Sequence, residues 1–130
     1  MYNIDEIMDM LDCNNSVEIQ EKGIELAKNV KCINVFILPK HLGCNKNVWE
    51  NCAKVLVDKT DKILNPYLIR ILEWIEDLNR PGALIIVDRL KKFYDTKMFS
   101  FAIKECIKIA SETDNQIWLK NLSELLDNRD

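Results

Sequence analysis

Apolar residues along the chain recur every third or fourth position, the period of an amphipathic helix, and they do so in successive blocks. Ile4, Ile7, Met8 and Leu11 line one face of the first block. Ile19, Gly23, Leu26, Ala27 and Val30 line the second, with Glu18, Glu21 and Glu25 elsewhere on the helix. Leu68, Ile71, Leu72, Ile75 and Leu78 follow, with Arg70, Glu73 and Asp77 opposite. Phe99, Ala102, Ile103, Cys106 and Ala110 make a later face, and Trp118, Leu122, Leu125 and Leu126 the last.

Capping signals punctuate these blocks. Asn15 precedes Glu18 by three residues, as Asn47 precedes Glu50, the spacing of an N-cap with a reciprocating acid at N3. Asn65-Pro66 places a capping side chain before a proline at the first helical position, where the missing N–H costs nothing. Pro81-Gly82 opens another segment, and Asp114 or Asn115 opens the final one. Pairing neighbours gives units over 3–30, 32–60, 65–93 and 97–127. Their starts step by about 29, 33 and 32 residues, close to the unit length of two-helix repeats. The pattern predicts an all-α fold, a right-handed α-solenoid-like stack of about four antiparallel helix hairpins of the HEAT or armadillo kind. It fills residues 1–130 as a single helical-repeat domain.

Two segments resist this reading. Ala83-Leu84-Ile85-Ile86-Val87-Asp88 resembles a buried strand ending in an acid. Its apolar pattern continues at helical spacing through Ile86, Leu90 and Phe93, and no glycine-rich turn follows, so a helix is expected. Ile33 to Leu38 is rich in β-branched residues, but a lone strand has nothing to pair with, so a short, irregular first helix of the second pair, closed by Pro39, is expected. Residues 39–46 form the longest loop.

Composition supports helices. Three Gly and three Pro are few for a domain that turns every ten residues or so. A 48% hydrophobic fraction suffices for a core, and a 30% charged fraction argues against disorder. No stretch reaches the roughly 18 uncharged apolar residues of a membrane span. The start, Met1 to Glu6, has neither the basic nor the apolar region of a signal peptide, so a cytoplasmic protein is expected. Cys13, Cys32, Cys44, Cys52 and Cys106 are odd in number and never paired as CxxC. They read as free thiols, most of them small buried hydrophobes.

Candidate chemistry is sparse. The single histidine, His41, falls in the long loop. With Cys32, Cys44 and Cys52 it offers soft ligands, and a small metal-binding protein or enzyme centred on these four is the alternative reading. Structural zinc sites use two short-spaced pairs, and only His41-x2-Cys44 qualifies. No phosphate-cradling glycine loop is present. A binding protein is therefore expected in preference to an enzyme, with no catalytic residue, metal or cofactor.

Charge is unevenly placed. Residues 1–30 carry seven acids against two lysines, residues 31–64 six lysines against three acids, and the rest nearly balance within the chain total of −3. That distribution disfavours nucleic acid. Asp5, Asp9 and Asp12 fall on one helix face and Glu18, Glu21 and Glu25 on another. They form either the solvated cap of an end repeat or a docking surface for a protein of basic charge. Trp49, Trp74 and Trp118 recur once in each of the last three units. Trp74 and Trp118 sit among core positions, whereas Trp49, beside the long loop, forms a candidate binding cluster with Lys46 and Asn47.

The stretch Leu72-Glu73-Trp74-Ile75-Glu76-Asp77-Leu78-Asn79-Arg80-Pro81-Gly82-Ala83, with Asn47-Val48-Trp49-Glu50-Asn51-Cys52-Ala53 upstream, resembles an uncharacterised bacterial helical-repeat domain family. In that family an Asn-x-Pro-Gly-Ala turn joins two helices. The resemblance covers roughly residues 3–127 and implies a HEAT-like fold without established chemistry. Some similar domains have been suggested to be immunity proteins that neutralise bacterial toxins. The family's usual aromatic before the proline is replaced here by Arg80, which adds Arg80 to the candidate contact residues.

Overall fold

The computed structural model describes residues 2–39, 45–94 and 96–128, and within them all regular structure is helical, with no strand. The α-helices are α1 (Ile4–Met10), α2 (Val17–Ala27), α3 (Trp49–Val57), α4 (Asp61–Leu64), α5 (Leu68–Leu72), α6 (Ala83–Lys91), α7 (Thr96–Glu112) and α8 (Gln116–Asp127). Short 3₁₀ turns cover Ile33–Phe36, Lys46–Val48, Asn65–Tyr67 and Glu73–Glu76. The strand-like run at Ala83 is thus the first half of α6, and the β-branched run at Ile33 is a single tight turn leading to buried Ile37 and Leu38.

α1, α2, α4 and α8 start on side-chain caps, at residues partly different from those expected, whereas α3, α5 and α6 have none. Ser16, and not Asn15, caps α2 by accepting from the Ile19 N–H at 3.3 Å. Asn15 instead serves the helix before it, its Nδ2 donating to the Asp9 carbonyl at 2.7 Å and to that of Met10 at 3.3 Å. These carbonyls lie in the last turn of α1, where that of Asp9 also accepts from the Asp12 N–H at 3.3 Å. Asn45, not Asn47, caps the turn ahead of α3. The segment expected to begin at Asn65 starts earlier, where Thr60 caps α4, and Pro66 converts one turn of a continuing helical run to 3₁₀. Asn115 caps α8, accepting from the Trp118 N–H at 3.1 Å.

Contacts run between neighbours. α1 packs on α2, α2 on α3, α3 on α6 and α6 on α8, while α5 packs on α7 and α7 on α8. Two glycines allow the closest approaches. A Cβ on Gly23 would lie 2.9 Å from the Met10 Cβ, where α1 crosses α2. Gly82 has φ +85 and sits against α3, where a Cβ would come within 2.7 Å of the Ala53 Cβ.

Hydrogen bonds join successive pairs in one recurring way: a side chain donates to a carbonyl near the end of an earlier element. Asn51 Nδ2 donates to the Leu11 carbonyl at 2.7 Å, and Lys59 Nζ to that of Lys28 at 3.0 Å. Arg89 donates to the carbonyls of Val57 and Lys59 and pairs with Asp61. Trp118 Nε1 reaches the Leu72 carbonyl at 3.1 Å and Asn121 Nδ2 that of Ile75 at 2.8 Å. Each such bond satisfies a carbonyl at or near the end of a helical element. Buried Asn51 and Asn121 are explained in this way.

The core follows the sequence faces with two exceptions. Ile19 is 43% and Leu126 45% exposed, each lying off the buried stripe of its helix. Cys52 and Cys106 are buried as expected of small hydrophobes, but Cys13 and Cys32 are exposed. Among the described residues no helix is long and apolar enough to cross a membrane.

Candidate functional site

The helix pair α1–α2 concentrates the acids because its apolar side is narrow. Ile7 and Leu11 point inward on the first element and Gly23 and Ala27 on the second, which leaves Asp5, Glu6, Asp9, Glu18, Glu21 and Glu25 exposed. The two lysines of the pair are both engaged. Lys22 Nζ donates to the Tyr2 hydroxyl at 2.7 Å and lies 4.9 Å from the Tyr2 ring centroid. Lys28 pairs with Glu25 at 3.1 Å, and that hydrogen bond with its accompanying charge attraction raises the Lys28 pKa. Asp5, Glu6, Asp9, Glu18 and Glu21 make no ion pair with any described residue. Glu6, one position from Asp5, belongs to this surface although its place in the i, i+4 spacing gave no signal.

Asp12 is set apart from these acids by the hydrogen bonds its carboxylate accepts. α1 stops at Met10, and Asp12 lies half-buried in the following turn, off the face of Asp5 and Asp9. Its carboxylate accepts from the Asn14 N–H at 2.8 Å and from Asn45 Nδ2 at 2.8 Å. The Asn14 backbone bond first, then Asn45, holds its pKa below the ordinary carboxylate value. Asp12 therefore ties the first pair to the turn before α3.

The second candidate cluster divides. Trp49 is half-buried with its ring edge-on to Trp74, centroids 5.7 Å apart and planes at 70°. The Arg80 guanidinium lies 5.8 Å from the Trp49 centroid, and Arg80 Nη1 donates to the Glu73 carbonyl at 2.7 Å. Trp74 Nε1 in turn donates to the Pro81 carbonyl at 2.9 Å. Arg80 and Trp49 are thus brought together by the Arg-Pro-Gly turn and clamp α6 against α3. Lys46 and Asn47 stand exposed a turn earlier, the Lys46 carbonyl accepting from the Trp49 N–H and the Asn47 backbone engaged by Cys13 and Asn45.

Of the Cys/His set, His41 and Cys44 lie outside the described residues, Cys52 is buried in α3 and Cys32 is exposed ahead of the Ile33 turn. Among the described residues, no three His, Cys, Asp or Glu side chains converge as a metal site would require. Buried Cys106 has its thiol pKa pushed up to about 12, by desolvation first and then by the nearby carboxylates of Glu73, Glu105 and Glu76. A thiol so shifted is a poor nucleophile at neutral pH.

Neither the protein-family models nor the curated proteins nor the solved structures contain a match to this chain.

Proposed function

We propose that this chain is a non-catalytic protein-binding domain whose acidic first helix pair docks a partner of basic surface. One observation carries the reading. Asp5, Glu6, Asp9, Glu18 and Glu21 are held on two packed helices and make no ion pair with any described residue, while Lys22 lies at the Tyr2 hydroxyl and Lys28 on Glu25. An excess of charge of one sign on a rigid surface steers association and selects a partner of the other sign.

The reading extends to architecture and setting. The domain is a right-handed HEAT-like stack of four hairpins, which the neighbour-to-neighbour packing and the recurring carbonyl-capping bonds favour. It works in the cytoplasm, where exposed Cys13 and Cys32 remain thiols. Its resemblance to helical-repeat domains suggested as immunity proteins makes a toxin encoded beside it the first partner to examine.

Co-expression with the product of the neighbouring reading frame, followed by affinity purification at low and high salt, tests the proposal. A complex that weakens with salt and is lost in the Glu18→Lys/Glu21→Lys variant is expected. A complex indifferent to both, or none at low salt, refutes it.

A further inference from the structure

α7 is the longest helix among the described residues, at 17 residues, and it packs on α5 and α8 through its buried side. Phe101, Lys104 and Lys108 follow one another at helical spacing along the opposite side. All three are exposed, Phe101 by 57%. Neither lysine makes an ion pair with any described residue. Glu105 is half-buried and off this line, and Glu112 ends it in the last turn. From Phe101 onward the outward order on α7 is apolar, basic, basic, acidic.

The outward side of α2 carries the converse order. Val17 is 67% exposed, Glu21 and Glu25 follow at four-residue spacing, and Lys28 stands at the end. Glu25 and Lys28 form an exposed pair at 3.1 Å, whereas Glu18 and Glu21 pair with no described residue. Counted from Val17 at about 1.5 Å per residue, Glu21, Glu25 and Lys28 stand about 6, 12 and 16.5 Å along the axis. Counted from Phe101, Lys104, Lys108 and Glu112 stand about 4.5, 10.5 and 16.5 Å along theirs. Laid side by side in the same direction, each charge on one helix meets its opposite within about 1.5 Å of the same height.

We infer that the acidic first pair of one copy docks on the α7 face of a second copy of this chain, α2 lying parallel to α7. Val17 then packs on Phe101 of the second copy, and Glu21 and Glu25 face its Lys104 and Lys108. The inference rests on the proposed docking role of the first pair and names a partner for it. Charge complementarity along a matched register selects that occupant. An anionic lipid surface or a nucleic acid would find the two lysines but meet Glu112 at the end of the line. The two surfaces are different parts of the chain, so the contact is heterologous and copies add head to tail into a ring or a filament. Exposed ion pairs contribute little singly and are screened by salt, so the association is weak and salt-sensitive.

The test is analytical ultracentrifugation of the full chain over a concentration series at low and high salt. At low salt the average mass should rise with concentration and pass that of a dimer; at high salt it should return to one chain. Glu18→Lys/Glu21→Lys and Lys104→Glu/Lys108→Glu should each lose self-association when studied alone. Mixed in equal amounts they should associate again, because the first variant keeps the lysines and the second keeps the acids. Restored association also shows that neither variant failed to fold. A monomeric parent, variants that associate as the parent does, or a mixture that stays monomeric would each overturn the inference. So would a monomeric parent that sediments with phosphatidylglycerol vesicles, which assigns the α7 face to a lipid surface. A monomeric chain that still binds the neighbouring frame's product in a salt-sensitive way would end this inference alone and leave the proposed function standing.

Discussion

Glu18 and Glu21 on α2 stand in water and make no ion pair with any described residue, whereas Arg80, before α6, lies over an indole and donates to a backbone carbonyl. Both groups are charged, both sit on or beside helices, and both qualify as contact residues by type. Their surroundings divide them. The acids face outward from a pair whose two lysines are already engaged, so their charge remains available to a partner. Arg80 has two partners within the chain and holds the Trp49–Trp74–Pro81 seam closed. An engaged charge stabilises the fold and an unengaged one recruits, and substitution should separate the two.

The largest effect belongs to the seam. Trp74 is fully buried, packs edge-on with Trp49 and donates to the Pro81 carbonyl. Trp74→Ala should cost about 3–5 kcal/mol, as removal of a large buried aromatic does, read as a fall in the urea midpoint. A loss under about 1 kcal/mol, the scale of a single net hydrogen bond, would mean that the seam is not a core element. Gly82→Ala comes next. Its φ of +85 disfavours any Cβ, and that atom would meet the Ala53 Cβ at 2.7 Å. A loss of about 2 kcal/mol is expected from backbone strain and overpacking together. Ala53→Gly added to it should recover the contact part, and no recovery would place the whole cost in the backbone.

Arg80→Ala should cost about 1 kcal/mol, the sum of a partly exposed cation–π contact and one hydrogen bond to a carbonyl. Glu18→Gln/Glu21→Gln, by contrast, should change the urea midpoint by no more than about 0.5 kcal/mol, as expected of surface positions with no partner, while weakening any basic partner. A large stability loss in the acid variant, or none in the arginine variant, would erase the distinction between the two regions.

Periodicity made the helices legible, because α2, α6, α7 and α8 each bury one side only and the spacing of Ala102, Ile103, Cys106 and Ala110 encodes that side. It could not settle which of two adjacent residues caps a helix. Asn15 and Ser16 are both good N-caps, and the choice fell to Ser16 because the amide of Asn15 reaches back to carbonyls in the last turn of α1. Pro66 gave a false start for the same local reason: a proline at a first helical position and one within a 3₁₀ turn of a longer run have the same neighbours in sequence. The acidic surface was legible from composition, but not that Lys22 is engaged, which depends on Tyr2 packing beside α2. The role of Arg80 was visible only as a departure from a motif. Its partner Trp49 lies 31 residues earlier in the sequence and meets it only after α3 and α6 pack.

Asp12 offers the smallest effect and the sharpest discrimination, since it is the one first-pair acid whose carboxylate the structure ties down with hydrogen bonds from Asn14 and Asn45. Its pKa is depressed in the folded chain relative to the unfolded one, so the unfolded state binds the proton more readily. The stability it contributes is therefore present above the ordinary carboxylate pKa and is lost as pH falls through the depressed folded value. Asp12→Asn keeps a side-chain oxygen that can accept from the Asn14 N–H and removes the titration. The variant should lose part of the acid limb of a Tm-against-pH curve between about pH 5 and pH 2, while matching the parent above it to within a small constant offset. Glu21→Gln, taken from the outward face, should leave that limb where it was. Superimposable acid limbs for Asp12→Asn and the parent would return Asp12 to the exposed surface, and with it the acid face that the spacing of Asp5, Asp9 and Asp12 suggested.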